Sequence, residues 1–197
     1  MKFVIARKDA RRILKWTRHS LLAASASLFG YCVYVAADAW TFQRDQHIQV
    51  TKPETETVSV TPLPIGAGDP IGRVVIARLG ISVVVAEGTN RLTLRRAVGH
   101  IPGTALPGQP GNTAISGHRD TFFRPLRNVR QNDMIEITTH RGEYRYRVVS
   151  TKIVGPSDVS VLDSSESQVL TLVTCYPFYF VGPAPDRFIV RAERVNW

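Results

Sequence analysis

A cysteine and an arginine lie at the two ends of one predicted loop near the C-terminus. The apolar, β-branched run at 169–174 has the composition of a strand and leads into Cys175. Prolines at 177, 183 and 185 then predict a loop, because proline cannot donate a hydrogen bond in a central strand. A second strand is predicted to begin at Arg187. If these strands are neighbours, a thiol and a guanidinium meet at one rim of a sheet. A nearby positive charge favours the nucleophilic thiolate, and a guanidinium can stabilise an oxyanion, so the pair suits acyl transfer.

A cysteine nucleophile also needs a base or a cationic partner, and five histidines are available. His19 lies in a basic N-terminal segment, His47 in a polar segment and His140 in a predicted hairpin turn. His100 lies in a loop rich in Gly and Pro. His118 directly follows a predicted strand, so a rigid element would position it, and we predict that His118 is the partner of the cysteine.

Each of these three side chains also has a purely structural interpretation. A cysteine that ends an apolar strand is usually a small buried residue, and an arginine that starts a strand is usually a surface charge. A histidine at a strand end is usually satisfied by backbone groups. If all three are structural, the chain is a non-catalytic binding module.

No metal centre or other cofactor is predicted. Zinc sites use clustered Cys and His ligands at short spacing, and His118 has no such neighbour in the sequence. Asp158, Asp163 and Glu166 lie in one predicted loop and could contribute to an irregular Ca²⁺ site. Ordinary surface acids are the simpler interpretation of these three residues.

The positive charge of the chain is concentrated at its N-terminus. Residues 1–20 hold seven basic residues against one aspartate, a net charge of +6 out of +9 for the whole chain. The remaining arginines are interspersed with acids and form no recognisable nucleic-acid-binding motif, so a function on DNA or RNA is disfavoured.

An uncharged apolar segment at 21–37 follows the basic residues. As a helix it would span about 25 Å, at the low end for crossing a bilayer, and the preceding basic block favours a cytoplasmic N-terminus. A cleaved signal peptide, with small residues at 36–39, and a buried core helix are the alternatives. We expect an uncleaved anchor at 21–40, after a basic cytoplasmic tail at 1–20. An extended linker at 41–70, rich in Thr, Pro and Gly, would then lead to an extracytoplasmic catalytic domain at 71–197.

That last domain has an all-β pattern. Eight short strands and one or two short helices predict a closed or nearly closed barrel. The predicted strands are 73–78, 81–86, 112–116, 133–138, 143–149, 151–154, 169–174 and 187–191, with helical segments near 91–98 and 121–129.

Three motifs together resemble the sortases, which are membrane-anchored cysteine transpeptidases. They are Gly117-His118, the pentapeptide Thr171-Leu-Val-Thr-Cys175, and Arg187, which follows the cysteine by 12 residues. The resemblance covers roughly residue 72 to the C-terminus. The longer runs at 99–108, 116–123 and 175–188 look most like class D sortases.

The resemblance implies an eight-stranded barrel and a role for each of the three residues. Cys175 would form a thioacyl intermediate, His118 would act as general acid and base, and Arg187 would stabilise the substrate oxyanion. The substrates would be proteins with a C-terminal Leu-Pro-x-Thr-type sorting signal, and the acceptor would be an amine of the cell envelope or a pilin.

The resemblance also suggests which residues bind the substrate. The candidates are Thr174, Tyr176, Phe178, Tyr179 and His100, although the aromatic residues could equally pack against one another. A cysteine hydrolase or protease on the same barrel would use the same three catalytic residues, and only the acceptor step distinguishes it from a transpeptidase.

Overall fold

A computed structural model describes residues 7–50 and 65–195. The chain separates into two compact units, Met1–Thr41 and Phe42–Trp197. The first unit consists of most of one helix, and the second contains the sheet.

Helix α1 spans Arg7–Val50. Its stretch Arg11–Asp45 contains a long apolar segment, none of which is buried. By length and composition, this helix could therefore cross a membrane. The expectation of an extended linker from residue 41 is wrong for 41–50, which are helical. No Gly or Pro occurs between residue 41 and Pro53, so nothing in this segment interrupts the helix. The rest of the predicted linker, up to residue 64, lies outside the described residues.

The sheet contains eight strands: β1 Pro70–Ile76, β2 Ile81–Glu87, β3 Val98–His100, β4 Asn112–Ser116, β5 Met134–Thr139, β6 Gly142–Val154, β7 Val169–Tyr176 and β8 Asp186–Arg194. They close into a barrel in the order β1-β2-β3-β4-β7-β8-β6-β5. The β2–β3 and β4–β7 pairs are parallel, and the other six pairs are antiparallel.

Short helices lie between some of the strands. Helix α2 (Arg91–Arg96) is capped by Asn90, whose side chain accepts hydrogen bonds from two helical N–H groups. Three 3₁₀ helices in the described residues span Ala77–Leu79, Arg124–Asn128 and Ser160–Leu162.

The predicted count of eight strands is confirmed, but two of the predicted strands differ from the observed ones. The segments at 143–149 and 151–154 form the single strand β6, with a shift of register between Val148 and Ser150. Strand β3 has only three residues, too few to show an alternating pattern, and the sequence did not predict it. Gly99 permits β3 to pack closely, because a Cβ atom there would lie 2.2 Å from the Gly88 carbonyl oxygen.

The core fills the inside of the barrel with alternate residues of each strand. On β7 these are Leu170 and Leu172, and on β8 they are Val190 and Ala192, all fully buried. Because successive side chains on a strand point to opposite faces, the odd-numbered residues of β7 and β8 point away from this core. Cys175 is therefore on the outer face of the barrel wall.

Candidate active site

Cys175 and Arg187 are direct partners across β7 and β8. The two strands pair antiparallel, and the register places the Cα of Cys175 opposite that of Arg187. Directly opposed residues point to the same face of a sheet. The expectation that a thiol and a guanidinium meet at one rim, if these strands are neighbours, is confirmed by this register.

His118 leaves the sheet at the same edge. Strands β4 and β7 run parallel, with Ser116 opposite Val173. His118 lies two residues beyond Ser116, and Cys175 lies two residues beyond Val173. Strands β4 and β7 end, and β8 begins, at one edge of the barrel, which we call the Cys175 edge. This edge therefore carries a thiol, an imidazole and a guanidinium.

Two hydrogen bonds to the Gly117 backbone position the segment that carries His118. The Gly117 N–H donates to the Val173 carbonyl at 3.1 Å, which extends the β4–β7 ladder by one residue. The hydroxyl of Thr174, itself 2% exposed, donates to the Gly117 carbonyl at 2.7 Å. Gly117 is required here because a Cβ atom would come within 2.6 Å of the Phe123 ring. Thr174, predicted to bind substrate, is thus buried and holds the residue next to His118.

The three polar side chains differ in exposure and in partners. His118 is exposed, whereas Cys175 and Arg187 are half-buried, and Cys175 is a free thiol. The Arg187 Nη1 group donates to the carbonyls of Ala184 at 3.2 Å and Asp186 at 2.9 Å. A guanidinium carries five N–H donors, so these two contacts leave donors for a substrate carbonyl. The arrangement can supply a nucleophile, a proton carrier and an oxyanion partner.

Comparison with known proteins identifies the family of this chain. The family model described as Sortase domain matches residues 74–195, more than half of the chain. The chain belongs to the sortase family. Members of this family are transpeptidases. The predicted resemblance to sortases is thereby confirmed.

Relatives of this sortase include class D enzymes. It is 36% identical over 130 residues to Sortase D of Bacillus subtilis, a match that covers 66% of each chain. It is 29% identical over 109 residues to Sortase A of Listeria monocytogenes, covering 53% of this chain and 49% of the relative. The match thus spans just under two thirds of the first relative and about half of the second.

Solved structures share the fold of this sortase. A Sortase D5 transpeptidase from Clostridium perfringens superposes with a TM-score of 0.69 at 28% identity, covering 81% of this chain and 99% of that one. Sortase E1 from Streptomyces coelicolor, solved with a tripeptide in the active site, has a TM-score of 0.59 at 29% identity, covering 66% of this chain and 90% of that one. The predicted eight-stranded sortase barrel is therefore confirmed.

The aromatic residues around the Cys175 edge of this sortase behave differently from one another. Tyr176, Phe178 and Phe188 pack together, with ring centroids 5.3 to 6.4 Å apart. Tyr179 is instead 76% exposed, and the Arg127 guanidinium lies 5.4 Å from the centroid of its ring. Mutual packing thus occupies two of the predicted substrate-binding residues, Tyr176 and Phe178, while the Tyr179 ring stays accessible.

His100 is a buried structural histidine in this sortase. It ends strand β3, so its predicted position in a loop is wrong. Its side chain is 3% exposed, with Nδ1 2.8 Å from Glu87 Oε2. Its Nε2 lies 3.0 Å from the Thr104 hydroxyl and 3.1 Å from the Ala105 carbonyl. Both ring nitrogens are therefore engaged inside the protein.

The three acids considered for Ca²⁺ lie in the β6–β7 loop, residues 155–168. Asp158 accepts hydrogen bonds from the Ser160 hydroxyl at 2.6 Å and the Ser160 N–H at 3.2 Å, and the hydroxyl contact lowers the pKa of Asp158. Within residues 7–50 and 65–195, no group of three or more His, Cys, Asp or Glu side chains is placed to hold a metal ion.

A cavity of about 250 Å³ lies on the same outer face as Cys175. The strand register relates this cavity to Cys175. On the outer face, the pair next to Cys175–Arg187 is Val173–Ile189, and the pair after that is Thr171–Arg191. At about 3.3 Å per residue, Thr171 is about 13 Å from Cys175 along β7. The cavity is lined by Ser150, Lys152, Ser160, Val161, Thr171, Ile189 and Arg191.

Two residues that position this region were not predicted. Asn112 is 2% exposed, accepts from the Thr171 hydroxyl at 2.8 Å, and donates to the carbonyls of Val161 at 3.0 Å and Asp163 at 3.2 Å. It thereby holds the β6–β7 loop beside the cavity. Arg119, next to His118, contacts the loop that follows Cys175. Only the position of Arg119 in the Gly-His-Arg run could have singled it out.

Proposed function

We propose that this sortase is a cysteine transpeptidase that cleaves a sorting signal and joins the acyl product to an amine. One observation carries the proposal: the strand register brings Cys175, Arg187 and His118 to one edge of the barrel. A thiol, an imidazole and a guanidinium at one edge are the groups that acyl transfer through a thioester requires.

In the first step, the Cys175 thiolate attacks the scissile carbonyl carbon. Arg187 donates hydrogen bonds to the oxygen that becomes negative in the tetrahedral intermediate. As the C–N bond breaks, protonated His118 gives its proton to the leaving amine. The product of this step is a thioester on Cys175 and a free amine.

In the second step, the acceptor amine attacks the thioester carbonyl. His118, now neutral, takes a proton from the attacking nitrogen, and Arg187 again stabilises the oxyanion. The C–S bond breaks and the thiolate is restored, with an amide as the product. Attack by water instead of the amine would give a carboxylic acid, the outcome of a hydrolase.

We propose that the substrate lies along the outer face of β7. Four extended residues span about 13 Å, which equals the distance along the strand from Cys175 to the cavity at Thr171. A Leu-Pro-x-Thr-type signal has this length, with its threonine carbonyl at Cys175. Val161 and Ile189 give the cavity apolar walls. Of the remaining predicted substrate-binding residues, we assign Tyr179 to substrate contact and a structural role to His100 and Thr174.

The proposed setting is the outer surface of a membrane. Helix α1 would anchor the chain, with its basic N-terminal end in the cytoplasm and the barrel outside. Substrates would be exported proteins with a sorting signal, and acceptors would be amines of the cell envelope or of pilins. We propose that neither step uses a cofactor.

The proposal is tested with the full-length chain purified in detergent. The protein is incubated with a pool of Leu-Pro-x-Thr-Gly peptides, with and without triglycine as the amine, and enzyme and products are followed by mass spectrometry. We expect an acyl adduct on Cys175 and an amine-ligated product, and neither with Cys175→Ala.

Two other outcomes would overturn parts of the proposal. An adduct followed only by the free acid, even at high triglycine concentration, would identify a hydrolase. No adduct, together with a Cys175 that fails to react with thiol reagents in the folded protein, would identify a binding module.

A further inference from the structure

The β7–β8 loop, residues 177–185, is held by an arginine from the histidine segment. The Arg119 Nη2 group donates to the carbonyls of Phe180 at 2.7 Å and Gly182 at 2.9 Å. The Arg119 guanidinium carbon also lies 5.8 Å from the centroid of the Phe180 ring. Hydrogen bonds from a charged donor are roughly twice as strong as neutral ones, so this contact can set the loop conformation.

Arg119 joins two parts of the Cys175 edge. It directly follows His118, while the loop that it holds directly follows the cysteine strand. The backbone before His118 is in turn fixed to β7 by the Gly117–Val173 hydrogen bond. A loop attached at Arg119 therefore reaches from the cysteine side of the site to the histidine side.

The same loop also holds Arg187. Its Ala184 carbonyl accepts from Arg187 Nη1 at 3.2 Å, two residues after the Gly182 carbonyl that accepts from Arg119. Gly182 has a φ of +107°, a conformation that favours glycine, and so the chain can turn between these two carbonyls. A shift of the loop away from Arg119 would move the carbonyl that orients Arg187.

We propose that Arg119 is a positioning residue that clamps the β7–β8 loop, and that this clamp orients Arg187 and limits the access of water to the thioester on Cys175. The inference rests on the proposed function. Arg119 touches neither the substrate nor the reacting atoms in this mechanism. In the acylation step it acts through Arg187. In the second step it acts through the aromatic residues of the β7–β8 loop, which affect whether amine or water attacks the thioester.

The first test compares Arg119→Gln and Arg119→Lys with wild type in the full-length protein, using a Leu-Pro-x-Thr-Gly peptide and triglycine. We expect Arg119→Gln to lower kcat by about tenfold, with KM changed by less than about threefold, because a small displacement of a catalytic group is costly. Lysine keeps a positive charge and some hydrogen bonding, so Arg119→Lys should be intermediate.

The ratio of hydrolysed to amine-ligated product is the decisive readout. It reports the fate of acyl-enzyme already formed, so it does not depend on how much of the protein is folded. We expect Arg119→Gln to raise this ratio about fivefold or more, since the loop no longer limits water. The matched control is Arg124→Gln, which changes an exposed arginine in the neighbouring 3₁₀ helix and should leave kcat and the ratio at wild-type values.

A double-mutant cycle tests whether the effect passes through the loop. Gly182→Ala strains the turn at φ +107° and should shift the same carbonyls. If Arg119 acts through this turn, the double variant should be no worse than the more affected single variant, a failure of additivity typical of coupled sites. Gly155→Ala is the control, because a Cβ atom at Gly155 meets nothing within 4 Å and its φ is not positive.

Three results separate the possible failures. Wild type that forms no Cys175 adduct overturns the proposed function and this inference with it. If wild type forms the adduct and Arg119→Gln equals Arg124→Gln in kcat and product ratio, the clamp is overturned and the proposed function stands. Additive effects of Arg119→Gln and Gly182→Ala would show that Arg119 acts by another route.

Discussion

Cys175 and Arg187 are 12 residues apart in the sequence, and the register of β7 and β8 makes them direct partners. A slip of one residue would move one of the two side chains to the core face, because the side-chain period of a strand is two. The site therefore depends on the register of this hairpin as much as on the identity of its residues. The contacts of Arg187 with Ala184 and Asp186 show that the loop between the strands also sets where the guanidinium points.

Arg187→Lys should lower the rate of Cys175 acylation by about 100-fold or more, the loss typical of removing an oxyanion donor. A lysine ammonium is a point charge and cannot reproduce the forked contacts of a guanidinium. The measurement is the rate of adduct formation followed by mass spectrometry. Arg147→Lys, an exposed change on β6, serves as the control. A rate within threefold of wild type would remove Arg187 from the mechanism.

His100 and His118 should respond in opposite ways to replacement by alanine. His100→Ala removes the ring that pairs with the Glu87 carboxylate and one of the partners of the Thr104 hydroxyl. We expect a loss of about 1–3 kcal/mol in the free energy of unfolding with KM unchanged. His118→Ala removes an exposed side chain, so stability should hold while acylation is lost. Chemical denaturation and kinetics measure both quantities. If His100→Ala raised KM and left the free energy of unfolding unchanged, His100 would instead be assigned to substrate binding.

At the scale of elements, buried polar side chains hold the loops on the barrel. Asn112 connects β4 to β7 and to the β6–β7 loop through three hydrogen bonds. Arg78, in the first 3₁₀ helix, binds the Asp133 carboxylate through Nε and Nη2. The Arg130 N–H also donates to that carboxylate at 2.8 Å. These contacts connect the loop segments to the barrel strands.

The Asp133 contacts predict a specific dependence of stability on pH. The hydrogen bond from Arg78 lowers the pKa of Asp133 below its ordinary value. The carboxylate therefore contributes stability that is present above its unfolded-state pKa of about 3.9 and is lost as the pH falls through the lower native-state pKa.

Thermal unfolding of wild type and Asp133→Asn between pH 7 and pH 2.5 measures this contribution. We expect the variant to unfold at least about 3 °C below wild type at pH 7, and the two curves to converge below about pH 4. Glu166→Gln, which alters an exposed acid, is the control. Parallel curves for wild type and Asp133→Asn would show that Asp133 does not carry the acid sensitivity.

At the scale of the whole molecule, charge and hydropathy divide the chain. The first 20 residues carry a net charge of +6 and precede the apolar part of helix α1, whereas the barrel carries mixed charge. Only two cysteines are present, Cys32 in the apolar helix and Cys175 at the proposed active site. This distribution allows the orientation of the chain in a membrane to be read from thiol labelling.

A membrane-impermeant maleimide applied to intact protoplasts that express the full-length chain should label Cys175. The expected orientation places the barrel outside, and the half-buried thiol is accessible in part. Labelling should be lost in Cys175→Ala and kept in Cys32→Ala. Labelling of Cys175 only after lysis would place the barrel in the cytoplasm.

The sequence by itself determined most of the strands, the candidate catalytic residues and the family. Alternating apolar residues define most of the barrel strands, because a strand with one buried face must follow a period of two. The abrupt change from a β-branched run to a proline-rich loop after Cys175 located the strand end, and a second strand was predicted to begin at Arg187. These features are local, so they can be read from neighbouring residues.

Tertiary structure decided the features that depend on long-range contacts. The three-residue strand β3 exists because it fits between β2 and β4 to close the barrel, and no pattern that short identifies itself. His100 is buried through contacts with Glu87 and Thr104, although its sequence neighbourhood is typical of an exposed loop. Arg119 finds its partners 61 and 63 residues away. Burial and hydrogen bonding of polar side chains depend on what the fold brings near them, and the local sequence does not contain that information.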